Sequence, residues 1–268
     1  MPEYKPKRAL LHGAFFCFPV CLFFPFQSPA GILCPPVVID ETVAARSASD
    51  GDTLRLADGR KVRLIGINTP ELARDNQPAE PLASEAKTAL IRLLAQSGNR
   101  IGLKYGHERL DTYQRTLAHV YLADGTSVQA ALLEQGMATA FTTPPDDRYS
   151  DCYRSAEQQA MQQHLGLWAL ADYQPRTLNQ LDRRDNGFRR VQGRVSQISR
   201  SSSAAWVMLG EKLKIRIAAS DLVYFSQPWL QGLVGRDIEV RGWLHPEGQA
   251  FFMQLRHPDA VKIIESGK

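Results

Sequence analysis

Asp50-Gly51-Asp52-Thr53-Leu54-Arg55-Leu56-Ala57-Asp58-Gly59-Arg60-Lys61-Val62-Arg63-Leu64-Ile65-Gly66-Ile67-Asn68-Thr69-Pro70-Glu71 is the stretch from which the rest of the chain can be read. Thr53 to Leu56 alternates, Val62 to Ile67 is a second apolar segment, and Asp58-Gly59 between them is a turn pair, so the stretch reads as a β-hairpin. Its polar residues set it apart. Asp52 starts one strand, Arg63 lies within the other, and Asn68, Thr69 and Glu71 follow at the exit. A guanidinium can grip a phosphate through two parallel hydrogen bonds. One carboxylate can hold a hard cation through oxygen, and another can take a proton from water. Together they suit phosphodiester hydrolysis. The plainer reading is a solvated hairpin followed by a helix start, with Thr69 as cap and Pro70 at the first helical position. Pro78 and Pro81 would stop such a helix within a turn or two.

Two later stretches belong with this one: Asp111-Thr112-Tyr113-Gln114-Arg115 and Leu117-Ala118-His119-Val120-Tyr121. With Asp50-Gly51-Asp52-Thr53 and Arg63 to Glu71 they resemble, in order, the successive motifs of the staphylococcal nuclease (thermonuclease) family, from Val43 to Trp168. The resemblance implies an OB-type barrel and a calcium-assisted endonuclease acting on DNA and RNA. Arg63 and Arg115 fall on the family's phosphate-binding arginines, Glu71 on its general base and Asp52 on its calcium-binding aspartate. Thr69 falls on the residue whose carbonyl also reaches calcium, and Tyr113 on a tyrosine that contacts substrate phosphate. The implied reaction has Glu71 activating a water for in-line attack, with 3′-phosphate products. Three positions depart from the pattern. Asn68 replaces a second calcium-binding aspartate, which weakens the expected affinity. Thr112 replaces a basic residue, and Phe141 stands where a tyrosine packs near the substrate. In the loop between Glu71 and Leu82, Asp75 and Glu80 either compensate for Asn68 or are simply solvated. The rival to the enzyme is a non-catalytic nucleic-acid-binding or scaffold protein on a nuclease fold whose metal site has decayed at Asn68. Retention of Arg63, Glu71 and Arg115 favours the enzyme, because a binder needs no general base.

Upstream, Lys5, Lys7 and Arg8 precede the apolar run Ala14 to Phe26 and then Ser28-Pro29-Ala30. This is the pattern of a signal peptide over residues 1–30. With Pro19 and Pro25 inside it, the run is short for a membrane span, although an uncleaved anchor is the alternative. Export to the periplasm or medium is the expectation, with no stable span after cleavage. Cys34 and Cys152 then remain, and in an oxidising compartment they are expected to pair; two unrelated thiols are the alternative.

Hydrophobic spacing organises the rest. Leu82, Ala86, Ala89, Leu90, Leu93 and Leu94 predict a helix closed by Gly98. Ile101 to Tyr105 and Leu117 to Leu122 predict strands, and Val128 to Gln135 and Tyr153 to Leu165 predict helices. The expected fold is α+β and mainly β: a nuclease-type OB barrel with helices over residues 31–175, then a second small OB-like barrel. Residues 176–187, polar with few apolar residues, read as a linker. Residues 188–268 show alternating strands at Val191 to Val195, Ala205 to Leu209, Leu213 to Ile217, Ile238 to Trp243 and Ala250 to Leu255, with a short helix at Asp221 to Leu230. Basic residues concentrate here: residues 183–268 hold 14 Lys and Arg against 8 Asp and Glu, whereas residues 31–182 hold 15 against 19. Arg189, Arg190, Arg194, Lys212, Lys214 and Arg216, with Trp206, Phe251 and Phe252, make single-strand binding by this barrel the partner expectation. Core packing is the other use for its aromatics. His245 and His257 are isolated, and no Cys/His cluster suggests zinc. Nothing in the sequence bears on oligomeric state.

Overall fold

The computed structural model describes Met1, Glu3, Cys34, Pro36, residues 38–75 and residues 77–264. The expected signal segment lies outside the described residues, apart from Met1 and Glu3. Among the described residues no helix is long and apolar enough to cross a membrane.

The first barrel is built from β1 (Glu41–Ala48), β2 (Thr53–Leu56), β3 (Lys61–Leu64), then, after a break, β5 (Arg100–Leu110) and β6 (Thr116–Tyr121), closed in the order β1-β2-β3-β6-β5. The break holds the short β4 (Ile67–Asn68) and helix α1 (Ala83–Gln96). The hairpin of β2 and β3 forms as its turn residues demand, with Thr53 opposite Arg63. It ends three residues earlier than the apolar pattern suggests, at Leu64 instead of Ile67. Gly66, at φ +84°, turns the chain out of β3, and a Cβ there would lie 2.6 Å from the Tyr153 ring, so only glycine fits. β4 then leaves the barrel and pairs with β7 (Thr139–Ala140), which follows α2 (Val128–Glu134).

Leu54, Leu56, Val62, Leu64, Leu103, Ala118 and Val120 point inward and are buried, while Arg63 and Leu117 point outward, as period-two alternation requires. Helix α1 buries Ala86, Ala89, Leu90, Leu93 and Leu94 at the expected spacing. Helix α3 (Ser150–Gln162) starts about a turn before the sequence reading and ends earlier, because His164 and Gly166 take φ of +52° and +51°. Cys152 in α3 is bonded to Cys34, with Cα atoms 5.8 Å apart.

Residues 176–187 are not the linker expected of them. β8 (Pro175–Thr177) joins the second sheet, parallel to β9 (Gly187–Arg200). Arg176 is tied to Asp172 at 2.9 Å and to the buried Asp185 at 2.5 Å. A polar stretch looks like a linker when its charges are taken as solvated; here they are spent on one another. The remaining strands are β10 (Ala204–Leu209), β11 (Leu213–Ala218), β12 (Asp237–Glu247), β13 (Ala250–Leu255) and β14 (Val261–Ile263). Pairings β9-β10-β11-β13-β12, with β12 returning to β9, close a second five-stranded barrel, to which β8 and β14 are added. The expected single helix is a 3-10 turn at Leu222–Tyr224 followed by α4 (Gln227–Gln231), opened by the Ser226 cap and Pro228.

An aromatic seam joins the barrels. Trp168 meets Tyr173, Tyr173 stacks on Phe188, and Phe188 meets Trp243, at centroid distances of 5.8, 5.4 and 5.7 Å. Arg241 on β12 donates to Glu157 of α3 and, at 2.7 Å, to the carbonyl of Ala140 in β7. Glu157 also accepts from Ala140 N at 2.7 Å.

Candidate active site

The hairpin and β4 bring Asp52, Arg63, Asn68 and Thr69 into one hydrogen-bonded knot. Asp52 Oδ2 accepts from Thr69 N at 3.0 Å and Thr69 Oγ1 at 3.1 Å, and lies 2.9 Å from Arg63 Nη1. Thr53 Oγ1 donates to the other oxygen at 3.2 Å. Gly51 permits this closeness, since a Cβ there would sit 2.7 Å from Thr69 Oγ1. Asp52 is 4% exposed and Asp50 6% exposed. Burial pushes the Asp52 carboxyl up to about 6; the charge of Asp50 raises it too, against the pull of Arg63 and the Thr69 hydrogen bonds.

Arg63 is almost fully engaged. Its Nη1 donates to Leu64 O at 2.7 Å, and Nη2 to Ile67 O at 3.1 Å and Asn68 Oδ1 at 3.2 Å. Asn68 in turn donates to Thr69 O at 3.1 Å. The oxygens expected to face a metal are therefore satisfied by a guanidinium and an amide. In chemistry the set still fits a hard divalent cation: all the donors are oxygen, and the carboxylates of Asp52 and Asp50 are both buried. Asn68 contributes an oxygen but no charge. Among the described residues no group of three His, Cys, Asp or Glu side chains is placed to hold a metal on its own.

Glu71 lies just beyond the knot, with its side chain 54% exposed and 3.0 Å from Arg74. Arg74 also reaches Asp50 at 3.3 Å. Glu80 accepts from the Glu71 backbone N at 2.9 Å, and its own backbone N donates to Glu71 O at 2.8 Å. Glu80 is thus occupied in closing the loop on Glu71 and is not a spare ligand for Asn68's place. Sequence reasoning passed over Arg74; its i,i+3 spacing from Glu71 was the available signal.

Register places Arg115 on the same side of the sheet as Arg63. β3 and β6 run parallel with Arg63 opposite Leu117, and Arg115 comes two residues before Leu117. Asp111 holds Arg115 through its backbone N at 2.9 Å and Nε at 2.7 Å. The terminal guanidinium nitrogens of Arg115 make no hydrogen bond with a described residue. Tyr113 beside it is 79% exposed, with the Arg115 guanidinium 5.5 Å from its ring. Phe141 follows β7, its backbone N donating to Gly66 O at 3.0 Å, and its ring meets Trp243 of the second barrel edge to face at 5.2 Å.

A closed barrel whose hairpin, exit strand and following loop present an Asp–Arg–Asn–Thr knot and a nearby glutamate is the architecture of one nuclease class. Residues 61–170 match the family described as staphylococcal nuclease homologue, and the chain belongs to that family. The thermonuclease of Staphylococcus intermedius is 34% identical over 131 residues, covering 48% of this chain and 76% of that protein. The endonuclease YncB of Bacillus subtilis is 35% identical over 130 residues, 47% of this chain and 61% of its own. The thermonuclease of Staphylococcus hyicus is 30% identical over 133 residues, with shares of 48% and 77%. The family match ends at residue 170, before the second barrel begins.

Proposed function

We propose that the chain is an exported endonuclease of thermonuclease type that hydrolyses phosphodiester bonds of DNA and RNA. What supports this most is the convergence of Asp52, Arg63, Asn68 and Thr69 at the exit of β3, with Glu71 fixed one loop further by Glu80 and Arg74. Glu71 takes a proton from water while the water oxygen attacks phosphorus opposite the 5′-oxygen. The P–O5′ bond breaks, the leaving oxygen takes a proton from solvent, and the products are a 3′-phosphate and a 5′-hydroxyl. Arg115, oriented by Asp111 and with its terminal nitrogens making no hydrogen bond among the described residues, grips the phosphate. Arg63 reaches it by exchanging its Leu64 and Asn68 contacts for phosphate oxygens. Tyr113 borders the substrate phosphate, whereas Phe141 serves the seam between the barrels.

Asp52, Asn68 Oδ1 and Thr69 O would hold a calcium ion, which when bound supplies positive charge for the phosphate. One carboxylate in place of two makes the expected affinity low. Export is consistent with the Cys34–Cys152 bond, since disulfides persist in oxidising compartments.

The test is cleavage of single-stranded DNA, duplex DNA and RNA by residues 31–268 across a calcium series, beside Glu71→Gln. The expected result is calcium-dependent cleavage that falls by about 10²–10⁴ in the variant, as loss of a general base predicts. Equal rates in the two proteins would remove Glu71 from the mechanism. No cleavage at any calcium level would leave the non-catalytic binder.

A further inference from the structure

The structure sorts the basic residues of the second barrel into two groups. On the flank formed by β12 and the start of β9, cations are neutralised: Arg190 lies 2.7 Å from Glu239, Arg189 3.3 Å from Asp185, and Arg241 is bound to Glu157 across the seam. This flank faces the nuclease barrel. β10 and β11 lie on the other side of the closed barrel, two strands from β12 in either direction around the ring.

Their outward positions form one surface. Register places Trp206 opposite Arg216, and Lys214 opposite Phe252 on β13. The Trp206 and Phe252 rings meet at 6.4 Å, so the two aromatics and two cations interleave across three adjacent strands. The neighbours on either side in sequence, such as Ala205, Val207, Ile215, Ile217, Phe251 and Met253, are buried, which fixes these side chains on the exterior. No outward position of β10, β11 or β13 carries a carboxylate. Lys214 has Glu247 at 3.2 Å on the rim, and Arg216 has no partner among the described residues. Phe251, one of the expected stacking residues, is instead 4% exposed in the core.

We infer that Trp206, Phe252, Lys214 and Arg216 form a platform that holds single-stranded nucleic acid outside the nuclease site, bases on the rings and phosphates on the cations. Flat rings take any base, and cations placed between them match a backbone that carries one charge per nucleotide. A protein partner of ordinary interface composition would meet a face with aromatics and two cations, offset by a single rim carboxylate, Glu247. The excess of basic over acidic residues in 183–268 agrees in sign. Because the nuclease function makes nucleic acid the substrate, the platform rests on that reading; its role is to keep the strand bound to the protein between cuts.

The experiment is fluorescence anisotropy of labelled oligothymidylate and oligouridylate of about 12 nucleotides, within the site size of one such barrel. The protein is residues 31–268 with Glu71→Gln, so that the probe survives. Trp206→Ala is expected to weaken binding between about 5- and 150-fold, with Trp206→Phe restoring most of it. Arg216→Gln, a surface change that leaves the fold intact, is expected to lower the log–log salt slope by about 0.7. Binding by Trp206→Ala and Arg216→Gln proteins equal to the parent in affinity and salt slope would overturn the platform. In parallel, the Glu71 protein and its Trp206→Ala and Arg216→Gln forms are given a dinucleotide too short to span both sites. Unchanged dinucleotide hydrolysis with weakened oligomer binding supports both functions. Loss of platform binding effects with intact hydrolysis sinks the platform alone, and absent hydrolysis with intact platform effects sinks the nuclease alone.

Discussion

Arg241→Ala is the substitution that most directly asks whether the second barrel is part of the folded nuclease unit. Arg241 and Glu157 are 16% and 3% exposed as side chains. Removing the guanidinium leaves the Glu157 carboxylate buried with one backbone donor, Ala140 N, and takes a donor from Ala140 O. Breaking a buried pair from one side costs about 3–5 kcal/mol, because the surviving charge is uncompensated. For a cooperative unit of this size, about 2–4 °C of Tm per kcal/mol gives a fall of roughly 6–20 °C. Differential scanning calorimetry of the oxidised protein reads this directly. The control is Arg241→Met with Glu157→Gln, which removes both charges and should recover most of the loss. Ala140 is bonded to the pair and its strand β7 pairs with β4, placing Thr139 opposite Asn68. Cleavage at a fixed temperature below the transition should therefore fall in the single variant as well. A single variant within 1 °C of the parent, or a double variant no better than the single, would refute the buried-pair account of the interface.

Other outcomes follow from the same structure. Reduction, or Cys152→Ser, opens a link between residues 118 positions apart and should cost about 2–4 kcal/mol in urea unfolding; an unchanged midpoint would show the bond to be incidental. His119 is buried and bonded to Tyr153 Oη at 2.8 Å, and burial, helped by Arg148 and Lys104, lowers its pKa to about 3. Its ordinary value in the unfolded chain is higher, so the unfolded state binds more protons below about pH 6.5. Stability from this residue is complete above that pH and is lost as pH falls toward 3, by roughly 4–5 kcal/mol in all. His119→Gln should flatten the acid side of the stability curve relative to the parent, and parallel curves would remove His119 as the cause. Gly66→Ala forces a Cβ into the Tyr153 ring at positive φ and should destabilise by about 2–4 kcal/mol, with cleavage lost through displacement of Asn68 and Thr69. Normal activity and Tm in that variant would mean the turn relaxes.

Much of the first barrel was legible because its signals are local. The turn at Asp58-Gly59 set the hairpin, period-two alternation at Thr53–Leu56 and Thr116–Tyr121 fixed which residues face the core, and apolar spacing located α1 to within a residue. The order of motifs placed Asp52, Arg63, Asn68 and Thr69 together, and the structure has them in hydrogen-bond contact. What stayed hidden depends on contacts across long sequence separations. Residues 176–187 read as a linker because nothing local says that Arg176 is matched by a buried Asp185. Nothing local to Phe141 shows that Trp243, about a hundred residues on, packs against its ring.

Sequence alone therefore determined the fold class, the polar set at the hairpin exit and the basic excess of the second half, since periodicity, turn chemistry and charge are properties of neighbouring residues. Tertiary structure alone decided how those groups are spent. Closing the second barrel turned Phe251 inward and Phe252 outward. Docking it on α3 consumed Arg241, and the parallel pairing of β3 with β6 set Arg115 on Arg63's side of the sheet. Side chains of one chemical type thus met different fates, because each depends on which face of a closed sheet it occupies and on what distant strand packs there.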